Sequence, residues 1–281
     1  MTAYAEVIGD SAGRSQCALI QSYWLHKCGL RREYRVRFVA AGDWRGGSIK
    51  LKDYFARGRD DAHWLGCNVR ASLMHVAAAL VDRKDAIAER LGLVDLVVKD
   101  SGSLLGWNSA AWAFMRPVMS YLERIPSRAA LVIGSGCAAR TIAHALAGIG
   151  FRLEICSRTI ERATSLVEEL GQKNGHRAST FGERDGRRGG FGLLVNASPL
   201  GSGGLPSPAD MLASLAQGAV VCDIVFDPVE TQLLKSAVQL GFVTINGLEL
   251  IIGRAAISFE ALFGVRAPRA FDAQLESLLV Q

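Results

Sequence analysis

The chain has 281 residues, of which 49% are hydrophobic and 21% charged, so it is long enough for one large or two modest globular domains. This balance can bury a sizeable core and excludes a disordered, collagen-like or coiled-coil chain. The 32 Lys and Arg against 27 Asp and Glu leave a diffuse net charge of +5. Its densest runs, 31–37 and 183–188, are expected to be solvated loops or edges, because a nucleic-acid binder clusters its charge and interleaves it with aromatics.

No uncharged apolar run reaches the roughly 18 residues of a membrane helix. Residues 1–16 lack the basic start and apolar stretch of a secretory signal. The cysteines contain no CxxC pair and no nearby histidine at ligand spacing; they are Cys17, Cys28, Cys67, Cys137, Cys156 and Cys222. We therefore expect reduced thiols in a cytoplasmic protein, with no metal site and with neither nucleic acid nor membrane as a partner.

The first part of the chain alternates short apolar runs with stretches of helical spacing. In chain order, the pattern predicts a strand over 4–8, a helix over 17–29, strands over 34–40 and 64–69, helices over 72–80 and 82–91, and a hairpin of strands 93–98 and 104–107. The composition shifts near residues 125–128, where a β-α-β unit begins.

The second part alternates strands and helices more regularly. Strands are predicted over 129–133, 153–156, 192–196, 219–225 and 242–245, and helices over 141–150, 161–170, 248–263 and 271–280. The strand over 129–133 is wholly apolar, as expected for a parallel strand that is covered on both faces. This alternation predicts an α/β fold with a doubly wound parallel sheet.

A glycine-rich turn follows the first strand of this unit. It reads Gly134-x-Gly136-x-x-Ala139 and includes Ser135, Cys137 and Ala138. The first glycine permits a tight turn, the second lets a pyrophosphate approach the backbone, and Ala139 is small enough for close helix–strand packing. Because the turn lies between a strand and a helix, it predicts a dinucleotide site at a helix N-terminus, rather than a turn that binds nothing.

The end of the second strand indicates which dinucleotide binds. An NAD site places Asp or Glu there to accept hydrogen bonds from the ribose hydroxyls. This chain instead has Ser157, Arg158 and Thr159, followed by Arg162. Arginines and hydroxyls suit a 2′-phosphate, so the sequence favours NADP. A solvated helix start with Thr159 as N-cap would explain the threonine equally well, and both readings can hold together.

These motifs resemble the shikimate/quinate dehydrogenase family over most of the chain. Matches to that family's pattern lie at 66–75, 92–98, 106–110, 134–140, 157–162, 196–202, 222–234 and 245–264. The resemblance implies an N-terminal α/β substrate domain over 1–108, completed by helices at 246–281. It implies a Rossmann NADP domain over 109–245, with substrate in the cleft between the two. It adds Asn196, Ala197, Ser198, Leu200, Ile224, Phe226, Gly247 and Leu250 to the cofactor residues.

Where the sequence departs from the family pattern, most changes fall on the substrate side. The family's catalytic Lys corresponds to Met74 and its catalytic Asp to Ala110, so no catalytic residue is assigned. Arg70, Asp95 and Arg254 stand where the family has Thr, Asn and Gln. Ser15 keeps one of the family's two carboxylate-binding serines and Cys17 replaces the other, while Asn68 and Asn108 are kept. On the cofactor side, Phe226 replaces a Tyr.

The altered residues have chemistry of their own. Two guanidiniums suit a carboxylate or phosphate, and Asp95 is free to pair with either arginine or to act as a base. An Arg70–Asp95 salt bridge that only closes the site is an equally good interpretation. His75 is expected to be a surface residue, because it is one helical step from Met74. Cys17 is expected to be a packed thiol.

The sequence thus predicts an NADP-dependent oxidoreductase that transfers hydride between NADP(H) and a cyclic hydroxy or keto acid. We expect an altered, carboxylate-bearing substrate, because Met and Ala cannot handle the proton. A positioned acid–base group is worth roughly 10²–10⁴-fold in rate. The alternative is a non-catalytic NADP-binding protein that acts as a sensor or scaffold. Either form is expected to be a monomer or homodimer.

Overall fold

The computed structural model of the chain describes residues 2–10, 15–40, 49–171, 175–182 and 190–280. The chain divides into two compact units: unit one comprises 1–112 and 251–281, and unit two comprises 113–250. In chain order the elements are β1 (Tyr4–Gly9), α1 (Gln16–Lys27), β2 (Glu33–Ala40), β3 (Ile49–Lys50), α2 (Leu51–Asp60), β4 (Trp64–Val69), α3 (Met74–Leu80), β5 (Arg83–Lys84), α4 (Ala86–Leu91), β6 (Leu96–Asp100), β7 (Ser103–Trp107), α5 (Ser109–Ser120), β8 (Ala129–Ile133), α6 (Cys137–Gly148), β9 (Arg152–Cys156), α7 (Ile160–Leu170), β10 (Arg177–Ser179), β11 (Phe191–Asn196), β12 (Leu215–Asp223), α8 (Gln232–Gln239), β13 (Val243–Ile245), α9 (Gly247–Phe263) and α10 (Asp272–Leu279).

Unit one contains a mixed sheet in the order β3-β2-β1-β4-β6-β7-β5. Strands β1, β2 and β4 are parallel, whereas β6 is antiparallel to β4 and β7. Large buried side chains of α2 and α3 pack on one core with the strands. Trp24 of α1 packs edge-to-face on Phe259 of α9, with the ring centroids 5.6 Å apart.

The hairpin predicted between residues 93 and 107 is present as β6 and β7, and the backbone of its turn accounts for the tight reversal of the chain. Ser101 and Gly102 both adopt positive φ, at 51° and 84°, as a two-residue turn between strands requires. Its first strand begins at Leu96 rather than at residue 93. The helix predicted over 82–91 begins only at Ala86, because Asp85 caps it by accepting a hydrogen bond from the Ala88 N–H.

Unit two contains a six-stranded, all-parallel sheet in the order β10-β9-β8-β11-β12-β13. Alternate residues of β8 face two different cores. Ala130 and Val132 belong to the core that includes buried residues of α6 and α7. Leu131 and Ile133 belong to the one that includes α8. The sheet is therefore covered on both faces, as predicted for a doubly wound Rossmann-like unit.

Several elements were not predicted from the sequence: β3, α2, β5, α5, β10 and α8. Helix α2 has no side-chain cap at Lys50, so the start signal of a helix is missing. Helix α5 contains Pro117, which reads as a helix breaker. Strand β10 has three residues and is defined by its pairing with β9.

Three expectations about composition can be compared with the structure. Among the described helices, none is long and apolar enough to cross a membrane. All six cysteines are described and are free thiols, and within the same ranges no group of His, Cys, Asp and Glu is placed to share a metal ion.

Of the two basic runs, 183–188 lies outside the described residues. The run at 31–37 lies largely in β2, where Arg35 and Arg37 pair with Glu33 and Glu6.

Candidate functional site

The turn after β8 brings two strand ends together. Gly134 has φ of 115°, a conformation that favours glycine. A Cβ atom at this position would lie 2.7 Å from the carbonyl oxygen of Ala197, so the backbones approach too closely for any side chain. The Gly134 N–H also donates to the Cys156 carbonyl at 2.8 Å. This glycine therefore joins the ends of β8, β9 and the loop after β11.

The second glycine of the turn leaves the N-terminus of α6 open. Among the described residues, a Cβ atom on Gly136 would meet nothing within 4 Å, and α6 has no side-chain cap and no acidic residue in its first turn. Cys137 and Ala138 are exposed, whereas Ala139 is fully buried against the sheet. The first-turn N–H groups and the helix dipole are thus left without a capping side chain, an arrangement that favours an anion such as a pyrophosphate.

Hydroxyl and arginine side chains follow the end of β9, next to this turn. Ser157 is 7% exposed, and its Oγ lies 2.9 Å from the Oγ of Ser135 and accepts from the Thr159 N–H at 3.3 Å. Arg158, Thr159 and Arg162 are exposed. Thr159 occupies the N-cap position of α7, but its hydroxyl makes no capping hydrogen bond. Thr159 is therefore at the predicted N-cap position, but its hydroxyl does not cap the helix.

Two loops of unit two are tied together by one buried carboxylate. Asp223 accepts hydrogen bonds from Asn196 Nδ2 at 2.9 Å, the Val225 N–H at 3.1 Å and Thr231 Oγ1 at 2.7 Å. Burial raises the pKa of Asp223, and these three donors oppose that shift. Asn196 also donates to the Leu200 carbonyl at 2.9 Å. The loops after β11 and β12 are consequently held against each other.

These loops border a cavity of about 420 Å³ in unit two. Its lining includes four of the predicted cofactor residues; the full lining is Ala197, Ser198, Pro199, Ser202, Ile224, Val225, Phe226 and Asp227. Gly247 lies against it, since a Cβ there would meet the Val225 and Ile224 carbonyl oxygens at 2.4 and 2.6 Å. Leu250 and Ile224 are both partly buried and pack against the same core of unit two.

A second cavity, of about 370 Å³, lies in unit one. It is lined by Val7, Ser15, Gln16, Cys17, Asn68, Val69, Arg70, Ala71, Met74, Ile251, Arg254, Ala255 and Ser258. Six of these were singled out from the sequence: Ser15, Cys17, Asn68, Arg70, Met74 and Arg254. Asp95, Asn108 and Ala110 are not part of this described lining. We refer to this cavity as the arginine pocket.

One wall of the arginine pocket is a hydrogen-bonded network. The Tyr34 hydroxyl donates to Asn68 Oδ1 at 2.7 Å, the Cys17 Sγ lies 3.2 Å from that hydroxyl, and Asn68 Nδ2 donates to Ser258 Oγ at 2.8 Å. Burial raises the pKa of the Cys17 thiol and raises that of Tyr34 well above its ordinary value. Both groups are therefore protonated at neutral pH, and Cys17 is a half-buried thiol that lines the pocket.

The choice of partner for Asp95 is resolved. Arg254 Nη2 lies 3.1 Å from Asp95 Oδ2, and Arg254 Nε donates to Ser109 Oγ at 3.4 Å. Asp95 is fully buried and accepts from the Ser109 N–H at 2.6 Å and the Ala110 N–H at 2.9 Å. Its carboxylate thus holds the first turn of α5 and fixes a guanidinium that lines the pocket.

The remaining polar residues singled out from the sequence have structural partners. Asn108 accepts from the Ala111 N–H at 3.1 Å and donates to the Leu93 carbonyl at 3.2 Å, which makes it the cap of α5. Ser15 caps α1 by accepting from the Ala18 N–H at 3.3 Å. His75 is exposed, as expected. Sequence reasoning missed Gln16 and Ser258, although the latter is one helical turn from Arg254 and shares its face.

Unit two is a Rossmann-like nucleotide-binding unit: it has a parallel sheet, and its strand β8 leads through a glycine turn into an uncapped helix. Unit one is a mixed α/β unit whose pocket is lined by two arginines. No protein-family model matches the chain. It is 37% identical over 284 residues to the shikimate dehydrogenase (NADP(+)) of Sphingopyxis alaskensis, covering 99% of this chain and 97% of that protein. The chain therefore belongs to the shikimate dehydrogenase family.

Solved structures share the same two-unit fold. Shikimate 5-dehydrogenase from Thermus thermophilus, in complex with NADP(H) and shikimate, is 25% identical with a TM-score of 0.77 and 99% coverage of both chains. Quinate dehydrogenase from Corynebacterium glutamicum, in complex with NAD, is 22% identical with a TM-score of 0.83 and the same coverage. The second likeness shows the fold alone.

Proposed function

We propose that this protein is an NADP-dependent oxidoreductase that transfers hydride between NADP(H) and a cyclic hydroxy or keto acid other than shikimate. Unit two holds the nucleotide, and unit one holds a carboxylate-bearing substrate in the arginine pocket. Membership of a family whose curated relatives are named for NADP(+) supports the cofactor. A monomeric or homodimeric state, a cytoplasmic location and the lack of nucleic-acid or membrane partners remain predictions.

The open N-terminus of α6 is the observation that carries the proposal. In this assignment, the N–H groups after Gly136 hold the pyrophosphate and Ser157, Arg158, Thr159 and Arg162 hold the 2′-phosphate. The loops around Ala197, Ser198, Ile224 and Phe226, with Gly247 and Leu250 beside them, would border the nicotinamide end. A bound NADP(H) supplies or accepts the hydride.

The substrate side explains why shikimate is not the expected substrate. Met74 lines the arginine pocket and has no proton to give or take, and Ala110 offers only its backbone N–H, which donates to Asp95. Since the family's proton-handling pair is worth roughly 10²–10⁴-fold, we expect shikimate turnover to be lower by at least that factor. Arg254 and Arg70 provide charge for binding an anion.

The nucleotide assignment is tested by binding, independently of turnover. Arg158→Gln should weaken NADPH by roughly 10- to 100-fold and leave NADH nearly unchanged, because it removes charge-assisted hydrogen bonds to the 2′-phosphate alone. Arg152→Gln, an exposed arginine at the opposite end of the same strand, is the matched control. Equal loss for both nucleotides, or no saturable NADPH signal in the parent protein, would refute the assignment.

Turnover tests the rest of the proposal. We expect NADPH oxidation above blank with at least one member of a panel of cyclic keto acids, and little or none with dehydroshikimate. A normal rate with the latter would show that the loss of the Lys–Asp pair has no consequence.

A non-catalytic role in nucleotide sensing is the second candidate. One observation favours it: the described lining of the arginine pocket includes no Lys, His, Asp or Glu side chain. NADPH binding that is tight and responsive to anionic ligands, with no oxidation across the panel, would support sensing in place of catalysis.

A further inference from the structure

One wall of the arginine pocket is a chain of hydrogen bonds whose direction can be assigned atom by atom. Asn68 Nδ2 lies 2.8 Å from Ser258 Oγ and 3.5 Å from the carbonyl oxygen of Asp95. Because a carbonyl oxygen only accepts hydrogen bonds, this side of the Asn68 amide is its NH2 group. The amide oxygen therefore faces the other way, where it accepts from the Tyr34 hydroxyl at 2.7 Å.

The two ends of this chain have their protons committed as well. Ser258 Oγ receives the Asn68 N–H, and its own proton goes to the Arg254 carbonyl at 3.1 Å. Tyr34 has one proton, which Asn68 accepts, so the Tyr34 oxygen is the acceptor of the Cys17 S–H at 3.2 Å. The Asn68 oxygen, at 3.5 Å, is the other acceptor within reach of that proton. Among the described residues, Cys17, Asn68 and Ser258 thus line the pocket with every proton already donated, and we call them the donor-free wall.

Other groups that line the same pocket do have protons to donate. Ser15 Oγ accepts from the Ala18 N–H at 3.3 Å, and none of the described residues accepts the Ser15 proton, so this hydroxyl can donate to a ligand. Arg254, preorganised by Asp95 and Ser109, carries guanidinium N–H groups. An anion gains hydrogen bonds from these groups, whereas against the donor-free wall it would lose its water without replacement.

We propose that Cys17 determines the substrate specificity of the arginine pocket: the donor-free wall takes an uncharged side of the substrate and turns the carboxylate away from Cys17. The inference rests on the proposed function for the carboxylate-bearing substrate and adds how that substrate is oriented. The sulfur of Cys17 is soft and only a weak acceptor, so the group that faces it is a C–H edge of the ring. Carboxylate and carbonyl oxygens, which only accept hydrogen bonds, lie elsewhere in the pocket.

The first test removes the sulfur and measures the space that it leaves. Calorimetric titration of the full chain without nucleotide compares benzoate with 2-, 3- and 4-methylbenzoate. In Cys17→Ala, at least one methylbenzoate should gain about fourfold over benzoate relative to the parent protein, because the additional methyl group is buried in the vacated volume. Cys28→Ala, which removes the other half-buried cysteine, outside the described pocket lining, should change none of these ratios. No gain for any isomer would overturn the inference.

The second test gives the wall a proton that it can donate. The side chain of serine is shorter than that of cysteine, so Cys17→Ser moves the hydroxyl away from Tyr34 and leaves it able to turn toward the pocket. Because the carboxylate faces elsewhere, benzoate affinity should stay within about threefold of the parent value. A gain of about tenfold or more, as one hydrogen bond to a charged group provides, would place the carboxylate on Cys17 and overturn the inference. Ser15→Ala should weaken benzoate binding by about tenfold, since it removes a donor.

Because these titrations contain no nucleotide, they separate the inference from the proposed function. Benzoate that binds but gains from Cys17→Ser refutes the orientation and leaves the carboxylate pocket and the nucleotide site intact. No benzoate binding at millimolar concentration would refute the carboxylate-bearing substrate itself, and the inference with it. The expected responses in a protein that fails to bind NADPH would support the orientation and refute hydride transfer. Tryptophan fluorescence checks that each variant folds, since all five tryptophans lie within residues 1–112.

Discussion

Breaking the Asp95–Arg254 pair should cost more than a surface ion pair, because Asp95 is fully buried. Asp95→Ala removes the acceptor of the Ser109 and Ala110 N–H groups, at 2.6 and 2.9 Å, together with the partner of Arg254. Leaving a buried group unpaired costs about 1–3 kcal/mol, whereas the charge that loses its partner, Arg254, is 36% exposed and so costs less than a fully buried charge would. We therefore expect unfolding of unit one to become easier by about 2–4 kcal/mol, mainly through the two N–H groups that lose their acceptor.

A double-mutant cycle isolates the contribution of the pair itself. Asp95→Asn, Arg254→Met and the double variant are compared by urea unfolding followed by tryptophan fluorescence, which reports on unit one. The coupling should fall near the lower end of about 0.5–3 kcal/mol, since the Arg254 side chain is 36% exposed. Strict additivity of the two single changes would show that Asp95 does not hold Arg254, and it would remove the argument that this guanidinium is preorganised.

The two turn glycines should respond differently to alanine. Gly134→Ala is expected to destabilise unit two by about 1–3 kcal/mol, because position 134 has a positive φ and contacts the Ala197 carbonyl. Gly136→Ala should change stability by less than about 0.5 kcal/mol yet weaken NADPH binding; thermal unfolding and nucleotide titration distinguish the two. Asp82 has a lowered pKa because Arg59 and the Leu104 N–H donate to it. Its stabilising contribution, at most about 1 kcal/mol at this exposed site, is therefore present above about pH 4 and is lost on acidification below that. Unfolding of Asp82→Asn and parent protein should accordingly differ at neutral pH and converge in acid, and a difference that persists in acid would contradict this reasoning.

How much of the fold could be predicted from sequence depends on where the determining contact lies. The β8–turn–α6 unit and the 101–102 turn were found because their signals are local: apolar runs, glycines and short spacings. Helix α5 was missed although Asn108 caps it locally, because Pro117 lies within it and because its first two N–H groups are satisfied by Asp95, which is remote in sequence. Helix α2 was missed because it depends on burial of Leu51, Tyr54 and Phe55 instead of on a cap.

The same distinction applies to the candidate site. Sequence motifs led to residues that line both cavities, and alignment to a family pattern located Met74 and Arg70. The partner of Asp95 could not be chosen, since both arginines lie far along the chain and either satisfies the charge. Nothing in the sequence showed that Gly9 leaves room for the Arg70 side chain, because these two residues are far apart along the chain and meet only in the folded structure.

The pairing of Asp95 with Arg254 bears on whether the pocket has decayed or acquired a new ligand. Both residues depart from the family pattern, where Asn and Gln are expected, and they contact each other. Either change alone would place a charge without its partner in or beside a buried region, at a cost of several kcal/mol. Together they preserve the fold and leave a fixed guanidinium on the pocket wall. Independent decay gives no reason for two compensating charges to meet, so the pair favours compensated change over independent decay in this part of unit one.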